Sequence, residues 1–384
     1  MSESLNIIVG AGFSYYAGLP LGNDVKSKFD QPFRDRILKA SSSEWMWTET
    51  QDAAMVNNGR SNSDHITYSF ILEEIVKDYK VSNNNQFADY EDFYQYVKDN
   101  TPIDGWYEGI IASAKKRFYL ETTIKEDNEF YSYAFTYPER YMPQEIINYL
   151  IADLLGIRKT KEELIEAYRP FINYIQKYES VNIFSLNHDR VFECLFRLFG
   201  VNYCDGFSTS NSNIQYQDKP LLSFQNDFNS SRVKLVKLHG SIDMYLYEHC
   251  TEDGSTSTRT GEYTHFKPMG YQEKHYALRV IPETGEVIQH RSFDIIPKFI
   301  TGKNKKAFIA ADYMYSKMFN LYKQRMDSGD DLLIVGYSYG DSHMNYELMK
   351  FTNTVGPNII NLNYGDKYRF HAPNVKEITS FNEL

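Results

Sequence analysis

The chain has 384 residues with 41 basic and 51 acidic side chains, and its formal net charge of -10 argues against extended contact with nucleic acid, which needs a basic face. Hydrophobic residues at 42% and charged residues at 24% match a folded globular protein, and the length allows one large domain or two ordinary ones around a substantial core. No stretch is apolar for long enough to span a bilayer, and the N-terminus lacks the charged start and hydrophobic segment of a secretory signal, so a cytoplasmic protein without membrane contact is expected.

The first apolar run, Leu5-Asn6-Ile7-Ile8-Val9, leads into Gly10-Ala11-Gly12-Phe13-Ser14 and then Ala17-Gly18-Leu19-Pro20. This reads as a strand, a glycine turn and the start of a helix. Such a turn leaves backbone N–H groups at the helix N-terminus, glycine lets a pyrophosphate approach them, and Ser14 can cap the helix or donate to phosphate. From about 21 to 180, apolar residues recur at three-to-four spacing over Ser69 to Tyr79, Tyr90 to Lys98, Trp106 to Leu120, Pro143 to Leu155 and Lys161 to Tyr178, which predicts helices. The connections, notably Asn57 to Asp64 and Ser82 to Gln86, are rich in Asn, Ser and Gly. Tyrosines cluster between Tyr68 and Tyr178, where packing between helices uses them.

After Ser180 the pattern changes to short continuous apolar runs, as in a parallel sheet buried on both faces: Val181–Ser185, Val233–Leu238, Asp331–Val335 and Asn358–Asn361. Helical stretches at Asp189 to Leu198, Ala307 to Arg325 and Ser342 to Phe351 separate several of them, and Ile281 to Gln289 reads as a hairpin around Pro282-Glu283-Thr284-Gly285. The predicted fold class is α/β, a Rossmann-like doubly wound parallel sheet. Its nucleotide domain is discontinuous, over 1–30 and 181–384, with a large helical insertion over 31–180. Cys194, Cys204 and Cys250 are too few and too irregularly spaced for a disulfide framework or a four-thiolate zinc site, and read as reduced thiols.

In open α/β sheets the ligand crevice lies at the carboxyl ends of the strands, and four polar segments end apolar runs here. Asn187 offers a donor and an acceptor for ribose hydroxyls or for a water, and His239, before a glycine, is the side-chain type best suited to take a proton near neutral pH. Taken singly, Asn187 also reads as a turn or capping residue and His239 as a strand-end hydrogen bond. A different enzyme class is open too: Asn187-His188-Asp189 with His239, Asp243, Asp341 and His343 offers hard and imidazole ligands for a metal-dependent phosphoesterase, although no early Asp-x-His motif accompanies them.

The four segments Gly10-Ala11-Gly12-Phe13-Ser14, Ser185-Leu186-Asn187-His188-Asp189, Lys237-Leu238-His239-Gly240-Ser241 and Val335-Gly336-Tyr337-Ser338-Tyr339-Gly340-Asp341 together resemble the sirtuin signature. The resemblance covers about half of the chain. It implies that Gly10, Ala11, Gly12 and Ser14 form the phosphate-contacting turn, and that Asn187 and Asp189 act around the nicotinamide ribose and carboxamide. His239 would be the catalytic histidine, Gly336 and Ser338 the adenosine-side loop, and Asn361 or Asn363 the adenine-ribose contact. The chain departs from the deacylases at Pro20, followed by Leu21-Gly22-Asn23-Asp24 in place of an Asp-Phe-Arg segment, and at Leu186 in place of a glutamine. It also lacks both Cys-x-x-Cys pairs of the zinc module. It is similar to sirtuin-like NAD hydrolases of bacterial anti-phage systems, in which a helical insertion replaces that module. The resemblance implies an NAD hydrolase, not a protein deacylase, that takes NAD as substrate without zinc, releases nicotinamide and ADP-ribose, and assembles as a homo-oligomer, with a HerA-type ATPase as partner. A non-catalytic sensor of NAD or ADP-ribose on the same fold is the remaining alternative.

Overall fold

The segments Ser4–Val9 (β1), Ser180–Ser185 (β2), Tyr203–Cys204 (β3), Val233–Lys237 (β4), Asp331–Val335 (β5), Ile359–Leu362 (β6) and Val375–Ile378 (β7) form one parallel sheet in the computed structural model. The structure describes residues 3–21, 38–39, 45–46, 62–87, 90–122, 135, 143, 147, 151, 154–253, 256–269, 271–290, 292, 297–300, 305–352, 358–363 and 375–384. These fall into two compact units, Met1–Leu19 with Ile157–Ile300 and Lys305–Leu384, and Pro20–Gly156 with Thr301–Asn304. Every site residue named above belongs to the first.

The strand order is β3-β4-β2-β1-β5-β6-β7, so the chain winds outward from β1 in both directions and the order reverses between β1 and β5. This is the α/β, Rossmann-like architecture that the apolar runs predict. The runs are continuous because both faces are covered: Ile8, Phe184, Val236 and Ile334 lie in register on one face and pack with Met314, Met318, Tyr322, Met344, Leu348 and Phe351. The alternate residues Ile7, Ile183, Leu235 and Leu333 face the other way and are fully buried. Two polar side chains interrupt the apolar centre. Asn182 donates to Asn6 Oδ1 across the β1–β2 register at 3.0 Å, and Asn6 donates to the Arg325 carbonyl at 3.0 Å, so the buried amides bond each other and a helix end.

The helix Lys161–Ile175 belongs to the sheet unit, which resumes at Ile157, whereas the periodicity predicts a boundary after residue 180. Its apolar face packs on the aromatic side chain that leaves the glycine turn: Phe13 stacks on Phe192 at 4.3 Å between ring centres and meets Tyr168 and Phe171 at 5.1 Å each. The Tyr168 hydroxyl donates to the Phe13 carbonyl at 2.6 Å. Periodicity identifies an amphipathic helix; it does not identify the surface that the apolar stripe covers. The helix begins in a reciprocal capping box, with Thr160 Oγ1 accepting from the Glu163 N–H and Glu163 accepting from the Thr160 N–H. Thr160→Ala should therefore lower the unfolding free energy of this unit by about 1 kcal/mol, read as a shift in the urea midpoint at constant slope.

Between β3 and β5 the chain also forms antiparallel sheets beside the parallel strand β4 and the helices Lys305–Ala311 and Tyr313–Met326. Gly240–Asp253 and Thr256–Lys267 pair as a long hairpin within a five-stranded sheet, and the hairpin expected near Ile281 is present, with strands Leu278–Val280 and Val287–Gln289. The long hairpin was not legible in the sequence because its distal half is polar and carries no apolar alternation. The predicted helices of the second unit are present at Asn62–Ser82, Tyr90–Asn100 and Trp106–Glu121, with Tyr79, Phe87 and Phe93 packed edge to face or tilted. The helix expected over 143–155 lies mostly outside the described residues. Among the described residues no helix is long and apolar enough to cross a membrane, and all three cysteines are free thiols.

Candidate functional site

Hydrogen bonding continues past the carboxyl ends of the central strands and sets the loops on a common edge. Gly10 N–H donates to the Val335 carbonyl at 3.0 Å, Leu186 N–H to Val9 at 2.9 Å, Leu238 N–H to Ser185 at 2.9 Å and Gly336 N–H to Leu362 at 2.8 Å. The loops after β1 and β5 meet where the strand order reverses. A Cβ on Gly10 would lie 2.6 Å from the Gly336 carbonyl oxygen and one on Gly12 would lie 2.7 Å from Gly336 Cα, so these positions admit only glycine without backbone movement. The Gly12 N–H is donated to the Gly336 carbonyl at 3.0 Å. The glycines at 10, 12 and 336 thus let two loops touch, and the Gly12 amide expected to face phosphate is already bonded. The helix that follows spans only Ala11–Tyr15, and Ala11 is the exposed residue of the turn.

Ser14 caps no helix. Its buried hydroxyl donates to Asp189 Oδ2 at 2.6 Å and accepts from Asn187 Nδ2 at 3.0 Å. Asn187 Nδ2 also donates to the Gly10 carbonyl at 2.9 Å, which fixes the orientation of the amide because a carbonyl can only accept. Both amide hydrogens are used, and the Oδ1 acceptor remains on a half-buried side chain. Asp189 is 3% exposed: Oδ1 accepts from the Val191 N–H at 3.0 Å, Oδ2 holds Ser14, and its carbonyl accepts from Lys237 Nζ. Each carboxylate oxygen thus holds one loop contact, which fixes the Asp189 side chain beside Ser14 and Asn187.

His239 is brought against His343, Nε2 to Nε2 at 3.3 Å, and Asp341 completes a group whose ligand atoms lie within 4.8 Å of one another. Lys305 Nζ pairs with Asp341 Oδ1 at 2.9 Å. Burial pushes the His239 pKa well below its usual value, helped by Lys305 and the neighbouring rings, and burial also lowers His343. His188 lies on Phe299 with ring centres 4.8 Å apart, and burial followed by Lys305 and Lys237 pushes it down to about 3. The His188 carbonyl accepts from Ser241 Oγ at 3.1 Å and from the Ile242 N–H at 3.0 Å, tying the Asn187 loop to the His239 loop.

Asn361 and Asn363 sit at the end of β6 and just beyond it. Asn361 is fully buried, donating to Glu377 at 2.8 Å and accepting from the Tyr339 hydroxyl at 2.9 Å, while Asn363 donates to the Tyr337 carbonyl at 3.2 Å. Ser338 is exposed on the loop between them and the glycine contact. Asp243, a sequence candidate for metal ligation, points elsewhere: it lies 3.7 Å from Lys267 Nζ and 3.5 Å from Arg190 Nε. Burial would raise its pKa, but Lys267 and Arg190 outweigh that and hold it at about 2. The buried Lys267, Glu193 and Lys237 and the half-buried Asp205 complete this charge cluster, which sequence reading missed. The one available signal was a lysine ending the buried run Val233–Lys237, since a charge in a two-sided strand needs a buried partner.

Comparison of the chain with protein-family models and with curated proteins finds no match.

Proposed function

We propose that the chain hydrolyses NAD at the nicotinamide glycosidic bond. The observation that carries this reading is the meeting of the Gly10–Ser14 turn, the Asn187 loop and the Gly336 loop at the reversal point of a parallel sheet, with His239 tied to the same edge through His188. That is where open α/β sheets bind dinucleotides. The resemblance of these segments to sirtuins supplies the choice of bond.

In this reaction the C1′–N bond breaks, its electron pair leaves on nicotinamide, and a water oxygen bonds to C1′ to give ADP-ribose. Asn187 Oδ1 accepts a hydrogen bond from a ribose hydroxyl or from the attacking water, held by an amide whose other contacts are fixed. His239 takes the proton lost by water or polarises the ribose hydroxyl; burial keeps its imidazole neutral and able to accept, and also lowers its basicity. Catalysis rests on orientation and on electrostatic stabilisation of the oxocarbenium-like centre. The resemblance further proposes a cytoplasmic NAD-depleting effector in anti-phage defence, assembled as a homo-oligomer and controlled by a HerA-type ATPase, with a helical insertion in the chain in place of the sirtuin zinc module.

The test is nicotinamide release from NAD, followed by chromatography with and without chelator. Release that survives chelation is the expected result. Tight NAD binding without release, with the partner ATPase present, overturns hydrolysis in favour of a sensor.

A further inference from the structure

We propose that His239, Asp341 and His343 form a three-ligand site for a zinc-class divalent ion, and that its occupation silences the adjacent crevice. The first half stands on geometry alone; the second rests on the NAD-hydrolysis reading. Two nitrogens each about 2.0–2.1 Å from one tetrahedral ion stand about 3.3 Å apart. The two Nε2 atoms are 3.3 Å apart, at the long end for a hydrogen bond and at the edge length of such a tetrahedron. The histidines come from the loop after β4 and the helix after β5, 104 residues apart in sequence, and both are buried. Asp341 adds a carboxylate oxygen within 4.8 Å of a ring nitrogen of each histidine. Two imidazoles and one carboxylate are a donor set suited to zinc, and three protein ligands leave a fourth position open for water or an exogenous group.

Lys305 places an ammonium 2.9 Å from the carboxylate, so the site holds a tethered cation that a metal must displace. The arrangement therefore favours reversible occupation over a permanent structural ion. Ligation takes the Nε2 lone pair of His239 and removes the ring from proton transfer, so a bound ion acts as a brake on hydrolysis.

The experiment titrates tag-free, metal-stripped full-length protein with Zn2+ against a chromophoric chelator, and in parallel records the visible absorption of bound Co2+. Wild type is expected to take up one ion per chain with the intense visible bands of low-coordinate cobalt. His343→Ala and Asp341→Asn should each weaken uptake by at least about tenfold, and Lys305→Met should tighten it. The Lys305→Met arm keeps the proposal testable if a ligand variant fails to fold. Equal zinc affinity in wild type and His343→Ala, or no stoichiometric uptake by wild type, overturns the site. Nicotinamide release is then measured with equimolar Zn2+ and with chelator: inhibition by zinc that chelation reverses is expected, and undiminished release from the loaded protein overturns the brake. If no condition releases nicotinamide while one zinc binds per chain, the hydrolase reading fails, the brake falls with it, and the metal site stands.

Discussion

Asn187→Ala should lower nicotinamide release from NAD by about 10²–10³-fold while leaving the far-ultraviolet circular dichroism spectrum unchanged. The side chain is half-buried, and its amide is pinned by the Gly10 carbonyl at 2.9 Å and Ser14 at 3.0 Å, so its Oδ1 is presented without conformational cost. On the proposed reaction, removing it deletes the acceptor offered to the ribose hydroxyl or the attacking water. Ser14 still has Asp189 at 2.6 Å, so the loop keeps its anchor. His239→Ala should cost about 10²–10⁴-fold by removing the proton acceptor. Wild-type turnover in either variant would take that residue out of the mechanism.

Gly336→Ala should destabilise the sheet unit by about 2–5 kcal/mol, the sum of placing alanine in a left-handed backbone conformation and of overpacking. The residue has φ +59°, and a Cβ there would lie 2.5 Å from Gly12 Cα, the Gly12 carbonyl carbon and Phe13 N. All three are backbone atoms, so no side chain can turn aside. Relief requires the two loops to part, which breaks the bond from Gly12 N–H to the Gly336 carbonyl and withdraws Phe13 from its ring stack. Gly340→Ala is the control, because its nearest foreign atom is Ser338 Oγ at 3.8 Å. Urea unfolding of the two variants decides the matter, and equal midpoints would show that the loop contact carries no stability.

How far the site was legible varies with the kind of interaction. Gly10, Gly12 and Gly336 stood out because glycine after an apolar run is a local signal, yet the reason for them is a contact between loops more than 300 residues apart. Asp189 is assigned to the nicotinamide ribose and carboxamide only by the resemblance of its segment to sirtuins. Its burial and its bonds to Ser14 and the Val191 N–H became visible only once the loop was folded. Asp243 and Asp341 are equivalent in sequence as acidic residues near a histidine, but Lys267 and Arg190 claim the first and Lys305 with two imidazoles the second.

The sequence by itself determined the central parallel strands and the helices around them, because burial on both faces writes itself as continuous apolar runs and a helix as three-to-four spacing. It also determined which residue types end those strands. Tertiary structure alone decided that Lys161–Ile175 belongs to the sheet, that the Gly12 amide is spent on Gly336, and that His239 meets His343. These are questions of which surface or atom answers which across distant parts of the chain, and no local pattern carries the identity of a partner.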